Sequence, residues 1–234
     1  MSGSLLAVFF RLTTDRRSRR NRVRRTQVVR PGQEEESMAK LYYRYSTMGA
    51  GKSLDLLKVA YNYDERGMRA LIFNSELDTR FGQECVASRA GLHKEAIPYS
   101  RDTDLFTLYA RKRGETDGPV HCLLVDEAQF LTRAQVINLV DIVNREGIPV
   151  ICYGLRTDFM GELFEGSAVL FAWADTVEEL KTVCWCGRKA TMNARIVDGR
   201  ITRQGEQVQV GANDCYIGLC REHYLSGDLE RQKV

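Results

Sequence analysis

The stretch Ser46-Thr47-Met48-Gly49-Ala50-Gly51-Lys52-Ser53 decides the fold. It follows a short apolar and aromatic run (Leu41, Tyr42, Tyr43, Tyr45) and precedes a helical pattern of Leu54, Leu56, Leu57, Val59 and Ala60. A strand, a tight turn of small residues and a helix, in that order, make a phosphate-binding loop. Gly49, Ala50 and Gly51 let the backbone curl so that several N–H groups point into one concavity, and the positive end of the following helix adds to that field. Lys52 is then expected to reach the β- and γ-phosphates of a nucleotide, and the Ser53 hydroxyl to ligate Mg²⁺. One position departs from G-x-x-x-x-G-K-[ST], because Ser46 stands where the first glycine is expected. Serine makes the same turn at some strain, so the loop reads as a variant that binds a nucleotide.

Downstream, short apolar runs alternate with helical spacing. Arg69–Asn74, Val120–Val125 and Ile148–Tyr153 read as buried strands. Helices are expected from Ser53 to about Arg66 with Gly67 as the stop, from Leu105 to about Arg113, and from Thr132, as an N-cap, to Arg145. Residues 81–103 read as irregular, broken by Gly82, Gly91 and Pro98. Strand and helix in alternation predict an α/β fold with a parallel sheet covered by helices on both faces. Ligands gather at the carboxyl ends of such strands, and the polar clusters 46–53, 78–80 and 126–127 all follow predicted strand ends. Asp126-Glu127 closes the apolar run Val120–Val125 as a metal-holding acidic strand end does: Asp126 for Mg²⁺, completing the shell begun by Ser53, and Glu127 to take a proton if the acceptor is a hydroxyl. The same pair serves ATPases that activate water, so it does not by itself separate a kinase from an ATPase.

From about Val183 the texture changes. Cys184 and Cys186, then Cys220 and His223, form two short pairs whose residue types and spacing suit a tetrahedral structural zinc site. A β-like stretch over 190–201 with a turn at Asp198-Gly199, and a second near 208–210, lie between them. A lobe this small lacks the core to hold itself without such a staple. Cys215 has no paired spacing, and Cys85, Cys122 and Cys152 read as core or inert thiols. His93 and His121 are isolated.

The chain has 234 residues, a net charge of +3 and 28% charged residues. The positive excess sits in a leader: nine arginines from Arg11 to Arg30 precede Met38, against Asp15 and Glu34–Glu36, and the remainder is slightly acidic. No polyanion footprint is expected on the body, hence no nucleic-acid partner. No run approaches the roughly 20 apolar residues of a membrane span, and the leader has its apolar patch before its arginines, the reverse of a secretory signal. Residues 1–37 are expected to be disordered and to be translated upstream sequence with Met38 as the start, the weaker alternative being a transit peptide. A reducing, cytoplasmic setting suits the cysteine usage. The expected domains are a P-loop body over 38–182 and a zinc-stapled lobe over 183–234.

These motifs resemble the type II thymidine kinases, the P-loop and zinc-lasso family, over about residues 38–225. The resemblance rests on Tyr45–Ser53, Glu76–Gly82, Leu124–Phe130, Cys152–Phe159, the Cys184–Ala190 knuckle, Gly205–Val208 and Tyr216–Tyr224. It implies transfer of the γ-phosphate of ATP to the 5′-hydroxyl of thymidine by a homotetramer. It further implies that Asp78, Thr79 and Arg80 lie beside the nucleotide and its metal, that Gln129 belongs with the ATP-binding residues, and that Glu127 is the general base. A lasso loop over Gln207, Val208, Gln209, Val210 and Gly211, followed by Tyr216, would hold the thymine edge, with Phe159 stacking near the base and Leu155, Phe164 and Met48 as walls. The rival reading is a nucleic-acid-stimulated ATPase whose zinc lobe is a ribbon. The acidic balance after Met38 argues against it.

Overall fold

Strand β1 (Leu41–Ser46) leads into the small-residue loop, and α1 (Lys52–Asp64) leaves it. The computed structural model describes residues 39–78, 85–88, 91–207 and 216–229. The leader, Thr79, Arg80 and Val208–Gly211 therefore lie outside the described residues. The chain continues through β2 (Ala70–Ser75), β3 (Cys85–Ala87), β4 (His93–Glu95), β5 (Ile97–Tyr99), α2 (Leu105–Gly114) and β6 (Cys122–Val125). A 3₁₀ turn at Ala128–Phe130, α3 (Arg133–Glu146), β7 (Val150–Leu155), α4 (Glu165–Trp173) and β8 (Thr176–Glu179) complete the α/β part.

Six strands form one sheet in the order β5-β2-β6-β7-β1-β8, and every neighbouring pair is parallel. The central strands β6 and β7 are buried along their whole length, as a sheet covered on both faces demands. One face packs on α1 through Leu56, Leu57 and Ala60. The other packs on α2, α3 and α4 through Leu108, Val136, Leu139, Ile142 and Leu170. The α3 start carries a full capping box, with the Thr132 hydroxyl accepting from Gln135 N–H and the Gln135 side chain accepting from Thr132 N–H. Gly67 (φ 66°) ends the chain's turn out of α1.

The region 81–103 holds three short strands where the sequence reads as irregular. β3 and β4 pair as a hairpin, and β5 joins the edge of the main sheet beside β2. Three residues are too few to show a period, and Pro98 is tolerated in β5 because an edge strand has a side without ladder bonds.

Past α4, a second sheet runs in the order β10-β9-β11, with β9 at Met192–Val197, β10 at Arg200–Thr202 and β11 at Tyr216–Leu219, followed by α5 (Arg221–Ser226). Asp198 (φ 49°) and Gly199 (φ 72°) make the tight turn between β9 and β10, as a two-residue hairpin with both residues left-handed requires.

Candidate functional site

The phosphate loop begins at the carboxyl end of β1. Gly49 (φ 75°) and Gly51 (φ 79°) adopt left-handed conformations, and Gly51 is the N-cap of α1 with no side chain closing it. A helix start without its own cap leaves N–H groups suited to an anion. The Ser46 hydroxyl donates to the Thr47 carbonyl at 2.8 Å, so the serine in the glycine position is bound into the loop itself. Lys52 is buried. The first turn of α1 is fixed from below: Asp55 accepts from the Arg44 guanidinium at 2.9 Å and from the Tyr153 hydroxyl at 3.1 Å.

Asp126 and Glu127 follow β6, one strand removed from β1 across β7. Asp126 is 1% exposed. One of its oxygens accepts from the Ser53 hydroxyl at 3.0 Å and the other from the Glu127 N–H at 2.9 Å. Burial, and then the charge of Glu127, push the Asp126 carboxyl up to about 6, against the partial relief that Lys52 and Ser53 give. A buried carboxylate in contact with a hydroxyl offers hard oxygen donors of the kind a divalent cation such as Mg²⁺ takes. The structure thus brings Ser53 and Asp126 into contact.

Glu127 is buried and left-handed (φ 49°, ψ 38°), a costly conformation for a residue with a Cβ. The surroundings hold it there. The Gln129 amide donates to the Glu127 carboxylate, and the Gln129 carbonyl oxygen accepts from Leu155 N–H at 2.9 Å. Helix α4 presses the 128–131 turn so closely that a Cβ on Gly166 would lie 2.5 Å from the Ala128 carbonyl. Gln129, expected among the ATP-binding residues, has both ends of its side chain engaged with Glu127 and β7. Asp78 lies just beyond β2, where its N–H donates to the Ser75 carbonyl at 2.9 Å.

The residues expected as thymine walls lie from the end of β7 to the start of α4. Phe159 is 1% exposed; the Arg195 guanidinium lies 5.1 Å from its ring centre and the Tyr216 ring 6.4 Å away. Its carbonyl accepts from the Tyr224 hydroxyl at 2.8 Å. Leu155 and Phe164 are buried, with Phe164 edge-on to Phe130 at 5.9 Å. The Gln207 side chain donates to the Asp158 carboxylate at 2.9 Å, which ties the entrance of the expected lasso to that same loop. Where the phosphate loop meets the C-terminal lobe, Met48, Gly49, Val183, Trp185 and Tyr216 line a cleft of about 490 Å³. Asp158 lies within the Cys152–Phe159 segment but carries no expected role there, and Arg195 belongs to no motif; its only sequence signal is proximity to the Asp198-Gly199 turn.

The sulfurs of Cys184, Cys186 and Cys220 and a ring nitrogen of His223 lie within 4.8 Å of one another. His223 Nδ1 is 3.4 Å from Cys184 Sγ and 3.5 Å from Cys220 Sγ, and Cys186 Sγ is 3.9 Å from Cys220 Sγ. Zinc bonds of about 2.3 Å to sulfur and about 2.0 Å to nitrogen, set tetrahedrally, imply ligand separations of roughly 3.5–3.8 Å. The cage fits zinc in both donor type and size. Trp185 stacks on the His223 ring at 4.2 Å, and Asp228 Oδ2 lies 4.0 Å from its other nitrogen, so the imidazole is oriented on two sides.

The thymidine kinase family model matches residues 39–224. The chain is 53% identical over 188 residues to the thymidine kinase of Pasteurella multocida (strain Pm70), covering 80% of this chain and 97% of that protein. It is 55% identical over 196 residues to the thymidine kinase of Rhodopirellula baltica, covering 83% of this chain and 92% of that one. The thymidine kinase of Yersinia pestis is 53% identical over 188 residues, 80% of this chain and 95% of its own length.

Proposed function

The chain belongs to the thymidine kinase family, and from that premise we propose that it transfers the γ-phosphate of ATP to the 5′-hydroxyl of thymidine with Glu127 as the general base. The observation that carries this reading is the meeting of a glycine-shaped helix start that no side chain caps with a part-buried Ser53–Asp126 contact and a clamped Glu127 at the carboxyl ends of β1 and β6.

Residues 46–53 cradle the ATP phosphates, with Lys52 reaching toward the outer two. Asp78, Thr79 and Arg80 flank the nucleotide. Ser53 and Asp126, with Asp78 as a further candidate oxygen donor, would hold Mg²⁺, which would supply charge neutralisation along the phosphates. Glu127 takes the proton of the 5′-hydroxyl. The freed oxygen forms a bond to the γ-phosphorus as the bond from that phosphorus to the bridging oxygen breaks, and ADP leaves with the electron pair. Gln129 orients Glu127 for this, and its second bond to Leu155 links the base to the acceptor-side wall. Phe159, Leu155 and Phe164 wall the thymine, and main-chain groups of residues 207–211 bind its edge, followed by Tyr216. Main-chain donors and acceptors suit a base with a fixed edge pattern, because a wrong base strands a buried partner.

The body over 38–182 does the chemistry and the lobe over 183–234 holds the base, with zinc on Cys184, Cys186, Cys220 and His223 as a structural staple. Four protein ligands leave no open position for catalysis. The family resemblance further supports a homotetramer working in the cytoplasm, without a nucleic-acid or membrane partner. Among the described residues no helix is long and apolar enough to cross a membrane.

Glu127→Gln tests the base. ATP and thymidine affinities are expected to stay within a few-fold while turnover drops at least about 100-fold, the usual scale of general-base catalysis. Near-normal turnover would remove Glu127 from that role.

A further inference from the structure

We propose that Asn193 is a positioning residue through which the zinc lobe sets the shape of the phosphate loop and ties it to the acceptor-side loop. The proposal rests on the reading of residues 46–53 as the ATP site. Asn193, on β9, is 2% exposed. Its carbonyl oxygen accepts from Met48 N–H at 2.8 Å, and its amide nitrogen donates to the Thr157 carbonyl at 2.7 Å. Met48 is the third residue of the loop, and Thr157 stands two residues before Phe159.

A carboxamide carries an acceptor and a donor on one rigid plane. That is the chemistry needed to satisfy an N–H of one loop and a C=O of another at once. An aliphatic residue strands both groups, and a carboxylate satisfies only the first.

The rung of the ladder that carries Asn193 supplies a second contact. Asn193 pairs with Gly218 on β11, and a Cβ on Gly218 would lie 3.1 Å from Thr47 Oγ1 and 3.2 Å from the Met48 carbonyl. One residue of the rung bonds the loop, and the other gives it clearance. Thr47 and Met48 are therefore shaped from outside the α/β body, by two adjacent residues of the lobe. In a loop whose first glycine is replaced by Ser46, this outside support bears directly on the curl that the phosphates require. It follows that ATP affinity depends on the lobe even when thymidine is absent.

The test uses the full, zinc-loaded chain and titration calorimetry with a non-hydrolysable Mg-ATP analogue alone, then with thymidine alone. Zinc content and melting temperature are recorded for every variant. Asn193→Leu is expected to weaken the analogue roughly tenfold, the scale of leaving a buried polar group unpaired. Asn193→Asp keeps an acceptor for Met48 but sets an oxygen against the Thr157 carbonyl. It is expected to bind the analogue better than Asn193→Leu does and to lose more affinity for thymidine than for the analogue. Gly218→Ala, which crowds Thr47 and Met48 without touching the metal cage, is expected to weaken the analogue with zinc retained.

Analogue binding within about twofold of the parent in both Asn193→Leu and Gly218→Ala would overturn the proposal. So would an equal loss of analogue, thymidine and zinc in all three variants, which marks a merely structural residue. Lys52→Ala separates the two levels of the argument. If it leaves the analogue affinity intact, the ATP-site reading itself fails. If it abolishes binding while Asn193→Leu does not weaken it, only the coupling fails.

Discussion

Around the phosphate loop, position is set by apolar mass: two buried clusters on the two faces of the six-stranded sheet, reaching from Leu56 and Ile72 on one side to Leu139, Ile142 and Leu170 on the other. The C-terminal lobe has one small cluster, and two of its buried members, Cys184 and Cys220, are themselves candidate metal ligands. The body needs no metal to be rigid, and the lobe has little else. Yet the lobe bonds both segments proposed to flank the reaction, through Asn193 at Met48 and Thr157 and through Tyr224 at Phe159. On the proposed function, the catalytic residues thus sit on a packed core, while the part proposed to hold the base depends on the proposed zinc staple.

Removing that staple is expected to have the largest effect. Structural zinc contributes on the order of 10 kcal/mol to small folds, comparable to the whole stability of a typical domain. Chelation, or Cys186→Ser, is expected to unfold the lobe, abolish thymidine binding and leave a melting transition belonging to the α/β body. A single unchanged transition with unchanged thymidine affinity after metal removal would erase the distinction between the regions.

A cut into the body's core sharpens the same contrast. Leu139 is fully buried in the middle of α3. Leu139→Ala is expected to lower global stability by about 2–5 kcal/mol, as buried leucine truncations do, with zinc content unchanged in denaturant titrations. A cost under about 1 kcal/mol would mean that α3 is not a principal part of that core.

The smallest effect concerns Asp126 and appears as pH dependence. Its carboxyl titrates near 6, raised by burial and then by Glu127, whereas an unfolded aspartate titrates near 3.9. The native state therefore holds this proton more tightly than the unfolded state does. The resulting stability is fully present below the unfolded value and is lost as pH rises through about 6. In Asp126→Asn that pH-dependent contribution is absent. The stability difference between parent and variant is expected to change by on the order of 1 kcal/mol between pH 4.5 and 7, falling for the parent. Added Mg²⁺ is expected to stabilise the parent more at pH 7 than at pH 5, and a pH-independent difference would contradict the burial argument.

Much of the body was legible because buried parallel strands leave apolar runs, and caps leave local signatures such as Thr132 at the start of α3. The Ser53–Asp126 contact and the four-ligand cage followed from motif spacing alone. What escaped has a physical reason in each case. β8, Thr-Val-Glu-Glu, lies at the sheet edge and carries no buried period. α4 holds Gly166 near its start, a poor helix former that is needed because the 128–131 turn packs on it. Gln129 reads as part of a nucleotide motif, but its side chain bridges Glu127 and the end of β7, and no local pattern encodes such a bridge. Asn193 is more extreme: its partners lie 145 and 36 residues away in sequence. The lasso positions Val208–Gly211 and the pair Thr79 and Arg80 lie outside the described residues.

Phosphate transfer from γ-labelled ATP, with thymidine, deoxycytidine, water and single-stranded DNA offered in parallel, tests the central claim most directly. The account predicts label on thymidine, little on deoxycytidine, and only slow release as free phosphate. Label released as free phosphate only when DNA is present would contradict it, and the zinc lobe would then have to be understood as a nucleic-acid grip.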